Sequence, residues 1–144
     1  MLRLTEKQVE EIATDLEAGL QVAVHRITGK IKTITESGNW FEGSEEYSDD
    51  ISDYDLDEYW EFEQMSSRDS FTIMEDFART VDDQELRERL YNSLDKPKPF
   101  KNFKLQIDYS GDYRQKWFDF KTGRFIRFVK RQLQEFNSRD LDLD

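Results

Sequence analysis

His25 is the only histidine of the chain, and there is no cysteine. These two facts bound most of the catalytic chemistry open to it. A Ser-His-Asp arrangement would have to use His25 as its base, yet no G-x-S-x-G nucleophile elbow occurs. His25 lies in a predicted strand, where a surface or cap histidine is the favoured reading. The missing cysteines exclude disulfides, thiolate metal sites and a cysteine nucleophile.

Carboxylates are abundant, with 32 Asp and Glu in 144 residues. Hydrolytic chemistry would need two of them in one pocket with their pKa values pushed apart, and no spacing singles out such a pair. Asp53, Asp55 and Asp57 occupy positions 1, 3 and 5 of a calcium-type loop. That loop also needs glycine at position 6 and a bidentate Glu at position 12, where this chain has Glu58 and Gln64. A solvated acidic loop is the favoured reading. The six glycines, Gly19, Gly29, Gly38, Gly43, Gly111 and Gly123, are too far apart for a phosphate-binding loop. No cofactor and no metal site is implied.

Charge patterning points instead to binding. The net charge is −11, but residues 1–95 carry −16 and residues 96–144 carry +5. From Thr33 to Ser67 there is no Lys or Arg, and twelve acidic residues are interleaved with Trp40, Phe41, Tyr47, Ile51, Tyr54, Tyr59, Trp60 and Phe62. Asp49, Asp50, Asp53, Asp55 and Asp57 are the candidate contacts to a basic protein partner, since dense carboxylates speed association with cationic surfaces. In residues 96–138 the balance reverses, with 11 basic and 4 acidic side chains among aromatics. Lys101, Lys104, Arg124 and Arg127 are candidate nucleic-acid contacts, because cations beside aromatic rings can hold phosphates and stack bases. The simpler alternative is a solvated basic face over an aromatic core. The acidic half opposes long-range attraction to phosphate, so a protein partner is favoured over nucleic acid.

The elements that would carry these residues are legible. Thr5 and Gln8 form a T-x-x-Q capping box, and Val9, Ile12, Ala13 and Leu16 follow on one helical face, with Gly19 as a stop. Residues 20–25 and 30–35 read as a hairpin about Thr28-Gly29. Tyr59–Glu63 alternates aromatic and acidic residues, which suits a third strand. Ser67 and Asp82 or Asp83 are candidate caps for helices carrying Phe71, Met74, Phe77 and Ala78, then Leu86, Leu90, Tyr91 and Leu94. Pro99 suits the first turn of the next helix, which presents Phe100, Phe103 and Ile107. Tyr113, Trp117 and Phe120 continue at helical spacing. Thr122-Gly123 suggests a break before Ile126, Val129, Leu133 and Phe136. The expected class is α+β: an N-terminal helix, a small antiparallel sheet of about three strands, then four to five helices. We expect one domain over 1–144, with helix, sheet and acidic loop in 5–65, helices in 66–138, and a frayed tail in 139–144. Met74, Phe77, Leu90, Phe100, Phe103, Trp117 and Phe120 are the expected helical core.

Met74-Glu75-Asp76-Phe77, Leu86-Arg87-Glu88-Arg89-Leu90, Phe100-x-x-Phe103-Lys104 and Trp117-x-x-Phe120 occur in an order that resembles the bacterial uncharacterised protein family 0158. The resemblance covers most of 5–136. It implies the fold outline and no catalytic residue. Asp95-Lys96-Pro97-Lys98-Pro99 stands where it implies a glycine-rich stretch. No apolar run approaches the roughly 20 residues that span a bilayer, and Met1–Glu6 turns polar at once. The expectation is therefore a cytoplasmic, non-catalytic interaction or regulatory protein with a protein partner, no membrane, and a second copy of the chain as a further partner. The alternative is a nucleic-acid-binding protein using the basic helices.

Overall fold

The computed structural model describes residues 2–34, 40–42 and 58–142. Helix α1 spans Glu6–Glu17. The Gln8 amide donates to Thr5 Oγ1 at 3.1 Å, and the Thr5 amide donates to Gln8 Oε1 at 2.9 Å, so the capping box is complete. Gly19 adopts φ +83°. Its amide donates to the Leu16 carbonyl while the Leu20 amide donates to the Asp15 carbonyl, which closes the helix in a Schellman motif. The predicted apolar face, Val9, Ile12, Ala13 and Leu16, is buried.

Strands β1 (Gln21–His25), β2 (Ile31–Ile34), β3 (Trp40–Glu42) and β4 (Tyr59–Glu61) form one antiparallel sheet in the order β3-β2-β1-β4. The hairpin pairs Gln21 with Ile34 and Val24 with Ile31. The third predicted strand pairs with the other side of β1, setting Val24 opposite Trp60. A short fourth strand, Trp40–Glu42, joins through β2. Val22, Ala23 and Val24 are all buried. This central strand is therefore covered on both faces, which fits its unbroken apolar run better than alternation does.

Helices α2 (Ser67–Thr80), α3 (Gln84–Leu94), α4 (Pro99–Asp108) and α5 (Tyr113–Asp142) complete the α+β fold. Ser66, one residue before the expected cap, accepts from the Asp69 amide, and Asp83 accepts from the Leu86 amide. Pro99 opens α4, and Lys98 before it adopts φ 56°. The break expected at Thr122-Gly123 is absent, because α5 runs for 30 residues. A helical glycine costs about 1 kcal/mol relative to alanine. Burial of Trp117 before it, and of Phe125, Val129, Leu133 and Phe136 after it, outweighs that cost. The same helix carries residues 139–142, where a frayed tail was expected.

The chain groups into two compact units. One consists of 1–64 with 125–144, the other of 65–124. We call them the sheet unit and the helical unit. In the sheet unit, α5 supplies two side-chain amides that grip extended backbone. Gln132 accepts from the Glu63 amide at 2.7 Å and donates to the Glu63 carbonyl at 3.2 Å. Asn137 does the same for Leu2, at 2.8 and 3.1 Å. Phe136 stacks against Trp60 and Phe62, both at 5.1 Å between centroids. In the helical unit, Ile73, Met74, Phe77, Val81, Leu86, Leu90, Phe103, Ile107 and Trp117 form one cluster, with Phe71, Tyr113 and Phe120 packed against it. Of the expected core, Phe100 is the exception, exposed at 44%. Phe100 shares the face of Phe103 and Ile107 at i, i+3 and i+7, but it stands in the first turn of α4, outside the buried cluster.

Candidate functional site

The acidic partner-binding candidates Asp49, Asp50, Asp53, Asp55 and Asp57 lie outside the described residues, and the calcium-type loop built on three of them lies there too. Among the described residues, no group of three or more His, Asp or Glu side chains is placed to hold a metal ion. No described helix is long and apolar enough to cross a membrane.

His25 is a cap, as expected. Its Nδ1 accepts from the amides of Ile27 and Thr28, both at 3.1 Å. Two donors on Nδ1 assign the ring proton to Nε2, which donates to Glu58 Oε2 at 2.9 Å. Tyr59 meets the ring edge-on at 5.0 Å, and the ammonium of the buried Lys32 lies 4.5 Å from the Tyr59 centroid. Both imidazole nitrogens are thus committed: Nδ1 holds the turn between β1 and β2, and Nε2 ties that turn to Glu58 beside β4. That turn presents Ile27 outward, 73% exposed. Asp15 carries a shifted carboxyl. Partial burial pushes its pKa up from the usual aspartate range, and Glu11 adds to the effect.

The basic candidates divide between the units. Lys101, Lys104 and Arg124 lie in the helical unit, whereas Arg127 falls in the sheet unit. Arg124 is engaged, with its guanidinium 3.1 Å from Asp76 and over the Phe120 ring at 5.0 Å. Lys101 and Lys104 are exposed on α4 and form no ion pair with any described residue.

The geometry that brings these lysines together follows from helical spacing. Phe103 and Ile107 bury one side of α4, so Lys101, Lys104, Leu105 and Asp108 share the opposite side at i, i+3, i+4 and i+7. Leu105, one turn beyond Lys101 and next to Lys104, is 44% exposed, and Tyr109, at the end of the helix, is 87% exposed. The one carboxylate of this face, Asp108, is matched by Arg114 at 3.5 Å. Arg114 in turn lies over the exposed Phe118 ring of α5 at 4.8 Å. The result is a continuous cationic and apolar surface from the outer side of α4 to the start of α5. Sequence reasoning found its lysines. It missed Leu105, Tyr109 and Phe118, because an apolar residue at helical spacing reads as core until the packed side is known.

The pattern of the Uncharacterised protein family (UPF0158) matches residues 2–143, nearly the whole chain. The chain belongs to that family. Membership agrees with the order of Met74–Phe77, Leu86–Leu90, Phe100–Lys104 and Trp117–Phe120 along helices α2 to α5. No curated protein and no solved structure matches the chain.

Proposed function

We propose that this protein is a non-catalytic interaction or regulatory module that binds a protein partner through the outer surface of its helical unit. The supporting observation is the exposure of Leu105, Tyr109 and Phe118 on the surface that carries Lys101 and Lys104. Exposed apolar residues that cluster, with polar residues at their rim, mark interaction surfaces in a way that scattered ones do not. Aromatic residues with two rotatable bonds make strong anchors when a partner desolvates them.

Affinity capture from native lysate, with and without nuclease, tests the reading. We expect a specific protein that survives nuclease treatment and is lost with the double variant Leu105→Ser/Tyr109→Ser. Recovery that is unchanged by the variant would overturn it. Recovery that collapses with nuclease would favour the second reading, nucleic-acid binding, whose support is the exposure of Lys101 and Lys104 beside Phe100 and Tyr109.

A further inference from the structure

We infer that the partner segment seated on α4 and the start of α5 is acidic: an Asp- or Glu-rich stretch of polypeptide carrying an aliphatic or aromatic anchor. The inference rests on the interaction reading above and adds the chemistry of the partner.

The charges on this surface are of two kinds. Those of Asp108 and Arg114 are matched to each other at 3.5 Å, and Arg124 is matched to Asp76 at 3.1 Å. Those of Lys101 and Lys104 have no counter-charge among the described residues. A surface of this kind presents two unmatched cations on adjacent turns of one helix, spaced for carboxylates of one partner segment. Lysine suits this role, since its ammonium takes a carboxylate as a point charge on a flexible stem.

The apolar groups lie within the cationic ones rather than apart from them. Leu105 is one turn from Lys101 and adjacent to Lys104, and Tyr109 is one turn beyond Leu105. A partner must therefore bring carboxylates and an apolar side chain in the same few residues. A polypeptide does this readily. A nucleic-acid strand could stack bases on Tyr109 or Phe118 but meets no flat ring at Leu105, beside the two lysines. A strand also brings a charge with every nucleotide, against which only two unmatched lysines stand on this helix. A chain of net charge −11 repels such a run more strongly than it repels a few carboxylates. Arg127, which a longer cationic track would need, belongs to the sheet unit.

The test uses the full chain and three labelled probes: a short peptide of Glu with interspersed Leu and Tyr, its counterpart with Lys for Glu, and single-stranded oligothymidylate. Binding is read by fluorescence anisotropy at low and moderate salt. We expect the acidic peptide to bind and to weaken as salt rises. Lys101→Glu/Lys104→Glu should reduce that binding at least about tenfold, as removal of close charge pairs does. Leu105→Ser/Tyr109→Ser should reduce it independently, and circular dichroism should show both variants folded. Failure of the acidic peptide to bind, or equal binding of the Lys peptide, overturns the inference. Tighter binding of oligothymidylate that both variants abolish overturns it in favour of nucleic acid. A partner captured from lysate that is lost with Leu105→Ser/Tyr109→Ser but kept by Lys101→Glu/Lys104→Glu refutes the acidic partner alone and leaves the interaction module standing.

Discussion

The sheet unit and the helical unit are held together by different means. Side-chain hydrogen bonds in the sheet unit reach far along the chain: His25 to Glu58, Gln64 to the Leu20 carbonyl, Gln132 to Glu63 and Asn137 to Leu2. In the helical unit they are local, such as Ser66 to Asp69, Asp83 to Leu86 and Asn102 to the Pro97 carbonyl. Its long-range order comes from one apolar cluster, with Asp76–Arg124 as a distant ion pair. The difference follows from the elements. Helices satisfy their own backbone and need partners only for side chains. A small sheet leaves strand ends and turns whose amides and carbonyls must be paired by something else. The unit built on apolar packing also leaves apolar side chains at its surface, on α4.

The largest effects should come from the apolar cluster. Phe103→Ala should lower stability by about 3–5 kcal/mol, read by urea denaturation, with lost amide-exchange protection concentrated in residues 65–124. A loss under about 1 kcal/mol would show that the cluster is not what holds this unit. In the sheet unit, Gln132→Leu keeps the bulk but leaves the Glu63 amide and carbonyl unpaired, at an expected cost of about 2–3 kcal/mol. His25→Ala removes the acceptor for two turn amides and should cost about 1–2 kcal/mol. His25→Asn, whose Oδ1 stands near the place of Nδ1, should recover part of it. Exchange rates of the Ile27 and Thr28 amides report both.

Smaller effects run the other way. Lys98 holds φ 56° without being glycine, so Lys98→Gly should raise stability by about 0.5–1 kcal/mol, seen as a higher Tm. Asp15 sits in the last turn of α1, which carries no basic residue to offset the carbonyl end of the helix dipole. Its pKa is raised in the folded chain by partial burial and then by Glu11. The stabilising contribution of the protonated form is thus complete below the ordinary aspartate range and is lost as pH rises through the folded value. Asp15→Asn should therefore be slightly more stable than the natural chain at neutral pH. That gain should vanish on acidification below the ordinary aspartate range, as stability curves at the two pH values would show.

What the sequence disclosed follows the same division. Caps at Thr5 and Asp83, Pro99 at a first turn, and burial of Met74, Phe77, Leu90, Phe103 and Trp117 are local or periodic signals, and they hold. Phe100 did not follow: it shares the face of Phe103 and Ile107, but the first turn of the helix lies outside the packed cluster, and periodicity does not show where packing ends. Gly123 was read as a break because propensity is local, whereas burial on both sides of it is not. Gln132 and Asn137 gave no signal at all: an amide on a helix reads as solvated until a strand 69 residues away, or a chain start 135 residues away, is laid against it. The candidate site was half legible. Lysines among aromatics stood out, while which cations were already spoken for, Arg124 by Asp76 and Arg114 by Asp108, depended on tertiary placement.

The sheet unit is discontinuous in the chain, and this bears on its birth at the ribosome. Residues 65–124 emerge as one block with their core complete. The strands made before them must wait for Gln132, Phe136 and Asn137. At synthesis rates of roughly 5–20 residues per second, that delay lasts several seconds. Throughout it, Trp60 and Phe62 lack Phe136, the ring that packs against both, so these strands are completed after the helical unit that follows them in the chain.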